Sequence, residues 1–528
     1  MTAEQENTLN GVLTELQLPA VAVDRKLNHM TLDSRKITGG ELFIAIPGIQ
    51  SDGRKYIAEA LEKGAAAVLV DDSEGYDVSA VAEYESVFIV PGLSAKVGFL
   101  AHHFYRQPSE LLNIMGVTGT NGKTSCCWFI AEILRQLGKP CAVMGTVGRG
   151  LPGQMKASLN TTSDVVSLQQ YLGQLVTDGV QALAMEVSSH GLDQGRVSGV
   201  AFEVALFTHI SRDHLDYHGS LENYAGAKAR LFSECNYRYA VIGKDDAFSP
   251  LMLSSCPASA NVTTWSLEDA SADVYLSSIE TLPQGFRATI HTPWGVGKLN
   301  TSLLGRFNLE NLLAIVAVLG VQGYSLDRLL AAIPEISAPP GRMQQFGGGN
   351  QPLVLVDYAH TPDAIESVLS SLREHRSQIK TEIKGFVKDS EQGVGNIVCI
   401  YGCGGDRDRG KRPLMTAAAL KGADRAVLTS DNPRTEDPLK IIADALEDIT
   451  PDDRRRIQVI ADRSEAIRST MASASAGDII VIAGKGHEDY QEIHGVRHHF
   501  DDAEQVQLVF QSQVRSVPLQ NVQGDGRA

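Results

Sequence analysis

Short apolar runs alternate with longer amphipathic stretches along nearly the whole chain. Residues 113–118 (NIMGVT) form one such run and lead into glycines. A helical period follows over about 123 to 137, and Gly138-Lys139-Pro140 stops it. The apolar run AVMGT comes next. The same rhythm returns at 182–188 (ALAMEVS), 203–210 (EVALFTHI), 353–357 (LVLVD), 397–401 (IVCIY), 425–429 (RAVLT) and 478–483 (DIIVIA). Runs of this length between turn residues predict strands, and strands alternating with helices predict parallel α/β sheets. No short internal repeat is present, which argues against a solenoid.

The pattern divides into three blocks. Residues 1–108 hold a strand–helix unit, ELFIAIPG followed by YIAEALEKGAAAVLV. Residues 109–341 form a central block with a β-rich stretch at 274–298, where VYLSSI and FRATIHT alternate. Ala338-Pro339-Pro340-Gly341 reads as a hinge. Residues 342–528 form a third α/β block, in which 379–395 read as a surface insertion and the last dozen residues as a frayed tail. The length of 528 residues suits three or four domains at about 150 each.

Composition narrows the function. Hydrophobic content of 43% and charged content of 21% are those of an ordinary globular chain. With 47 basic against 63 acidic residues the net charge is -16, which argues against a broad nucleic-acid surface but leaves room for a basic pocket. No run approaches the roughly 20 apolar residues of a membrane span. The polar N-terminus, MTAEQENTLNG, does not read as a signal peptide. Seven scattered cysteines without a CxxC pair suggest reduced thiols in the cytoplasm.

The strongest chemical signal is Gly116-Val117-Thr118-Gly119-Thr120-Asn121-Gly122-Lys123-Thr124, followed by Ser125. It sits between a predicted strand and a predicted helix, as a phosphate-binding loop must. Glycines let backbone N–H groups converge on phosphate oxygens, and a helix N-terminus adds positive potential. Lys123 can reach the outer phosphates and Thr124 can ligate Mg²⁺. Val117 breaks the strict pattern, so a glycine-rich turn without nucleotide is the alternative. Glu186, ending a predicted strand, is a candidate Mg²⁺ ligand or else a solvated carboxylate. The run Arg212-Asp213-His214-Leu215-Asp216-Tyr217-His218-Gly219 concentrates acids and histidines, some of which would serve only as helix caps. Lys228, alone on the helix starting near Leu221, would ordinarily be a surface charge.

The loop Thr118–Thr124 resembles the variant found in Mur ligases and folylpolyglutamate synthases, ATP-dependent enzymes that join a carboxylate to an amine. SRDHLDYHG followed by Tyr224-Ala-Gly-Ala-Lys228 resembles the Mur ligase pattern specifically, and the likeness runs from about residue 31 to about residue 505. The resemblance implies an N-terminal α/β uridine-nucleotide domain, a central parallel-sheet ATPase domain of the P-loop type and a C-terminal Rossmann-like α/β domain. It implies ATP and Mg²⁺ as cofactors, with Lys123, Glu186, His214 and a carbamylated Lys228 (N6-carboxylysine) as catalytic groups. Thr124, Glu186, His214 and Lys228 would be the metal ligands. Gly119, Thr120, Asn121, Gly122, Lys123, Thr124, Ser125, Asn308, Asn311, Arg342 and Asp357 would bind ATP. Read without the resemblance, the two asparagines are equally well explained by capping and packing, and Asp357 by capping the helix near Pro362.

In the same family, Ser34 in Asp33-Ser34-Arg35 corresponds to a uridine contact. Asn160, Thr161, Thr162, Ser188, Gln194 and Arg196 correspond to muramoyl-dipeptide contacts, although Arg196 by itself reads as a surface arginine. Arg407, Asp431, Asn432, Pro433, Arg434, Gly484 and Glu488 would bind the incoming amino acid. The DNPR form at 431–434 goes with meso-diaminopimelate. A planar guanidinium forks onto the far carboxylate that L-lysine lacks; the alternative for Arg434 is a loop salt bridge. The implied activity is addition of meso-diaminopimelate to the D-Glu γ-carboxylate of UDP-MurNAc-L-Ala-D-Glu through an acyl phosphate, by a cytoplasmic monomer acting on small molecules. Competing readings are an L-lysine-adding ligase, a folylpolyglutamate synthase-like ligase and a nucleotide-binding regulator without chemistry.

Overall fold

The computed structural model describes residues 7–48, 51–73, 75–81, 83–158, 160–282, 284–386, 395–447 and 449–515. Three α/β layers are built on three parallel-dominated sheets. The first sheet orders β1 (Met30–Thr31), β2 (Leu42–Ala45), β3 (Ala67–Asp71) and β4 (Val87–Val90) in sequence, all parallel. Alternate strand residues feed two cores, one around Leu42, Ile44 and Leu69 and the other around Phe43, Val68 and Val70. Strand side chains point alternately to opposite faces, so a sheet covered on both sides needs apolar residues at every position.

The central sheet holds β5 (Asn113–Thr118), β6 (Cys141–Gly145), β7 (Gly148–Gly150), β8 (Ala182–Glu186), β9 (Ala201–Phe207), β10 (Asn236–Gly243) and β11 (Asn261–Ser266). Their order is β11-β10-β9-β5-β8-β6-β7, antiparallel only at β6–β7. Beyond β11 the chain continues through β12 (Val274–Thr281), β13 (Phe286–Thr292) and β14 (Gly295–Thr301). β5 lies between β8 and β9, with Val117 level with Glu186 and Thr118 level with Phe207. The phosphate loop therefore leaves the sheet at the carboxyl ends of three adjacent parallel strands.

The run 203–210 is expected as one strand but ends at Phe207. Past that point the backbone turns to the loop: His209 O accepts Thr120 N at 2.7 Å, and the Thr208 hydroxyl donates to Asn121 O at 2.8 Å.

The third sheet contains β15 (Gln344–Gly347), β16 (Leu353–Asp357), β17 (Ile397–Cys403), β18 (Arg425–Ser430), β19 (Ile457–Val459) and β20 (Ile479–Ala483), in the order β15-β16-β20-β17-β18-β19. Only β15–β16 is antiparallel. A hairpin of β21 (Tyr490–Ile493) and β22 (Val496–His499) follows. The expected insertion at 379–395 begins inside the helix Pro362–Phe386, and 387–394 lie outside the described residues, as does the expected tail.

Packing divides the chain into two compact units. One comprises Met1–Leu276, His291–Gly295 and Asn311–Leu329; the other comprises Ser277–Ile290, Val296–Glu310 and Leu330–Ala528. All seven cysteines are free thiols, and no helix among the described residues is long and apolar enough to cross a membrane.

Candidate active site

In the first unit the loop after β5 is shaped by its glycines. Gly119 has φ +144° and a Cβ there would overlap Thr208 Oγ1, while a Cβ on Gly122 (φ +84°) would lie 2.6 Å from Asn311 Oδ1. Both positions therefore need glycine for conformation and for space. The helix Lys123–Gln136 starts at Gly122 without a side-chain cap, so its first-turn N–H groups are available to an anion. Ser125 lies in that first turn.

Two lysines converge on the same carbonyl. Lys123 Nζ donates to Gly119 O at 2.9 Å and to Thr120 O at 2.7 Å, and Lys228 Nζ donates to Gly119 O at 2.7 Å. Lys228 is 1% exposed, contrary to the surface charge that its sequence position alone suggests. Burial first, and Lys123 second, push its amine well below the usual lysine range, with Asp213 opposing. Tyr224, one helical turn away, shares a hydrogen bond with Thr120 Oγ1 at 3.1 Å.

Glu186 is the neighbouring acid. Its Oε1 accepts from Thr124 Oγ1 at 2.8 Å and from Thr146 N at 2.8 Å, and its Oε2 accepts from Thr146 Oγ1 at 3.2 Å. A loop hydroxyl and a carboxylate in contact beside a phosphate loop are the hard oxygen donors that Mg²⁺ takes. Thr146, which ends up on Glu186, has no local signature in the sequence.

His214 has its ring 6.1 Å from that of Tyr224. It is exposed, has φ +51° and lies 3.4 Å from the Asp213 carboxylate; its ring packs edge-on to His190. Among the described residues no group of three or more histidines, cysteines or acids forms a metal cluster.

Thr161, Thr162, Ser188, Gln194 and Arg196 form one network of the expected dipeptide contacts. Thr162 Oγ1 donates to Glu186 O at 3.0 Å and accepts from Ser188 N at 3.1 Å, while Ser188 Oγ caps the short helix after it through Gly191 N. Arg196 donates to Thr162 O at 2.8 Å and to Gln194 Oε1 at 2.6 Å. Its guanidinium is half-buried, not a free surface arginine. Thr161 Oγ1 is 3.3 Å from Thr146 Oγ1. Asn160 is exposed and its carbonyl accepts from Ser158. Ser34 is buried in the first sheet's own layer, with its hydroxyl on Glu59 at 3.3 Å. Asn311 Oδ1 accepts from Cys126 Sγ at 3.4 Å.

In the second unit the candidate residues sit at the ends of β16, β17, β18 and β20. Asp357, fully buried, accepts Met343 N and Ala359 N at 2.8 Å each. Burial raises its carboxyl above the usual range, opposed mainly by Arg342. The cap of the following helix is Thr361, which accepts Ala364 N. Arg342 lies over the Tyr358 ring at 5.0 Å. Asn308 is buried and donates to Leu304 O at 2.8 Å.

Arg434 has φ +52°, and its Nη1 donates to Gly405 O at 2.7 Å. A Cβ on Gly404 would lie 3.0 Å from that nitrogen and 3.6 Å from Arg407 Cγ, so both guanidinium stems border one glycine. The two loops are locked together: Gly405 N donates to Asn432 O, and Thr435 Oγ1 donates to Asp406 at 2.7 Å. Behind them buried Arg412 donates to Glu436 at 2.7 Å and to Asp444 at 2.6 Å. Arg463 and Asp502, whose side chains are both 0% exposed, form a two-pronged pair at 2.7 Å, and Arg463 also donates to Ala483 O at 3.0 Å. Glu488 Oε2 accepts from Asn432 Nδ2 at 2.9 Å and from Lys485 Nζ at 3.2 Å. A Cβ on Gly484 (φ +119°) would come 2.8 Å from Asp431 Oδ2. Pro433 continues the turn from Asn432 into Arg434. Lys485, Arg412 and Arg463 are absent from the sequence expectation, since charged residues default to the surface.

Family models match three stretches: Mur ligase family, catalytic domain at 26–105; Mur ligase middle domain at 117–319; and Mur ligase, glutamate ligase domain at 341–486. The chain is 48% identical over 487 residues to the UDP-N-acetylmuramoyl-L-alanyl-D-glutamate--2,6-diaminopimelate ligase of Ectopseudomonas mendocina, covering 92% of this chain and 95% of that one. It is 42% identical to the ligase of the same name from Coxiella burnetii, over 93% of this chain and 97% of the other. A solved structure of a ligase of that name is similar at TM-score 0.70 and 39% identity, covering 95% of this chain and 99% of that one. A Mycobacterium tuberculosis folylpolyglutamate synthase shares the fold at TM-score 0.55 and 18% identity, covering 75% of this chain and 93% of that one.

Proposed function

Because the chain belongs to the Mur ligase family, we propose that it is an ATP-dependent ligase joining meso-diaminopimelate to the D-Glu γ-carboxylate of UDP-MurNAc-L-Ala-D-Glu. The observation that carries the amino-acid choice is the presence of two arginines, Arg434 and Arg407, and two acids, Asp431 and Glu488, in the loops that leave the adjacent strands β17, β18 and β20, in a chain so similar to diaminopimelate ligases. Diaminopimelate ends in an ammonium and a carboxylate, and this set offers an anion for one and a guanidinium for the other. L-Lysine would leave the guanidinium unused, which ranks the lysine-adding reading second.

In this reading the γ-carboxylate attacks the γ-phosphorus of ATP, the bond to ADP breaks, and an acyl phosphate forms. The amine of diaminopimelate then attacks the acyl carbon and phosphate leaves. Lys123 and the first-turn N–H groups hold phosphate oxygens and stabilise the charge that moves. Asn308, Asn311, Arg342 and Asp357 bind the rest of the nucleotide. Thr162, Ser188, Gln194 and Arg196 hold the dipeptide, with Asn160 and Thr161 beside them, and Ser34 holds the uridine end. Thr124 and Glu186 would hold Mg²⁺, with His214 and Lys228 joining them. Bound there, the ion would neutralise phosphate charge. Lys228 is proposed to be carbamylated: its neutral amine adds to CO₂, the N–C bond forms, and a proton leaves, turning a buried amine into an anionic oxygen donor. The proposed domain limits remain 1–108, 109–341 and 342–528, in a cytoplasmic monomer.

The test is a labelled turnover. Heavy oxygen placed in the D-Glu γ-carboxylate should appear in the released phosphate, and the product should carry one new amide to diaminopimelate. Phosphate without label would exclude the acyl phosphate.

A further inference from the structure

The amino-acid site contains a cation that the reading above does not use. Lys485, two residues past the end of β20, has no exposed surface. Its Nζ donates to Asn432 Oδ1 at 3.3 Å and to Glu488 Oε2 at 3.2 Å, and it lies 4.0 Å from Asp431 Oδ1. The Tyr490 ring, 5.3 Å from Nζ, borders it on the hairpin side. A buried ammonium is retained only where anions and acceptors compensate it. Every one of its polar neighbours here is a residue already placed in the diaminopimelate site.

We propose that Lys485 is a specificity-setting positioning residue: its ammonium cancels one of the two carboxylates, Asp431 or Glu488, and fixes the side chain of Glu488, so that the site accepts a zwitterionic side-chain end over a bare cation. This rests on the diaminopimelate reading and deepens it. The charge balance carries the argument. Two carboxylates against one resident ammonium leave a single net negative charge, which matches one substrate ammonium. Arg463 does not alter that balance, because its own charge is met by Asp502. Asn432 relays the arrangement, accepting from Lys485 and from Glu492 N on Oδ1 while donating to Glu488 through Nδ2. Glu488 Oε2 is thus doubly held and its rotamer fixed. Without Lys485 the two carboxylates would attract a bare ammonium more strongly and repel a substrate carboxylate. The preference should then move from diaminopimelate toward L-lysine.

The experiment uses the full chain with ATP and UDP-MurNAc-L-Ala-D-Glu, measuring kcat and KM for each substrate. Lys485→Met should raise KM for meso-diaminopimelate about tenfold or more, with KM for ATP and for the nucleotide sugar within about twofold of wild type. The ratio of kcat/KM for diaminopimelate over L-lysine should fall about tenfold, and Lys485→Arg should restore most of it. In the double variant with Glu488→Gln, the second change should add less than about twofold, because the lysine acts through that carboxylate. Should Lys485→Met not fold, Lys485→Gln against Lys485→Arg gives the same contrast: the first loses the preference and the second keeps it. An unchanged ratio, additive effects, or an equal loss across all three substrates overturns the proposal. Wild-type protein inactive with diaminopimelate would overturn the functional reading itself, a result distinguishable from an unchanged ratio in an active enzyme.

Discussion

The phosphate loop and the amino-acid loops sit at equivalent places, the carboxyl ends of parallel strands, yet they are built in opposite ways. At the phosphate loop two lysines crowd one carbonyl, with the Glu186 carboxylate held beside them by Thr124 and Thr146. Lys123 and the helix start at Gly122 supply positive potential for a ligand that brings its own negative charge. At the ends of β17, β18 and β20 three buried cations are already met by acids: Arg412 by Glu436 and Asp444, Arg463 by Asp502, Lys485 by Glu488. A site for a triphosphate needs net charge, whereas a site for a zwitterion needs charges held apart in a balanced frame. The first tolerates only glycine at its turns; the second depends on long-range ion pairs.

The sharpest break in that comparison is Lys123→Ala. Loss of a lysine acting on the transferred phosphate should lower kcat about 10³-fold or more, while the protein stays folded. Steady-state turnover checks it, and near-normal kcat would remove the phosphate loop from the account. Next comes Arg463→Met, which leaves Asp502 buried and unpaired. Breaking such a pair costs about 3 to 5 kcal/mol, so the thermal midpoint should fall by roughly 6 °C or more. The matched loss of Asp502 should recover part of that fall; an unchanged midpoint would show that the balanced frame is not holding the site. Arg434→Ala should raise KM for diaminopimelate by roughly 10- to 100-fold, as loss of a charge-assisted bond predicts, and leave KM for ATP unchanged. Equal effects on both substrates would blur the two regions into one.

The smallest effect concerns pH. Arg412 first, then the Asp406 N–H, hold the Glu436 carboxyl at about 2 against an ordinary 4.5. A depressed carboxyl adds stability that is fully present above its unfolded value and lost as pH falls through the folded one. The thermal midpoint should therefore drop between pH 4.5 and about 2, and Glu436→Gln should flatten that drop. Identical slopes in the two proteins would contradict the assignment.

The same contrast governs what could be read from the sequence. Most strand runs and the loop at 116–124 were legible because each is a local signal: an apolar run, a glycine pattern, a helix start. Glu186 was legible as the end of a strand, but its partner Thr146 was not, since that contact crosses from β8 to the turn after β6. Lys228 stands out only through the family resemblance, because its burial comes from the loop that folds over it. The ion pairs of Arg412 and Arg463 join residues 24 to 39 positions apart, and nothing local announces them. The overshoot of β9 has the same origin, for its end is set by hydrogen bonds to a loop about 90 residues earlier.

The most direct measurement is phosphate release from ATP in the presence of UDP-MurNAc-L-Ala-D-Glu, with meso-diaminopimelate compared against L-lysine at equal concentration. The account predicts release that depends on both co-substrates and strongly favours diaminopimelate. Equal or greater release with L-lysine would contradict it.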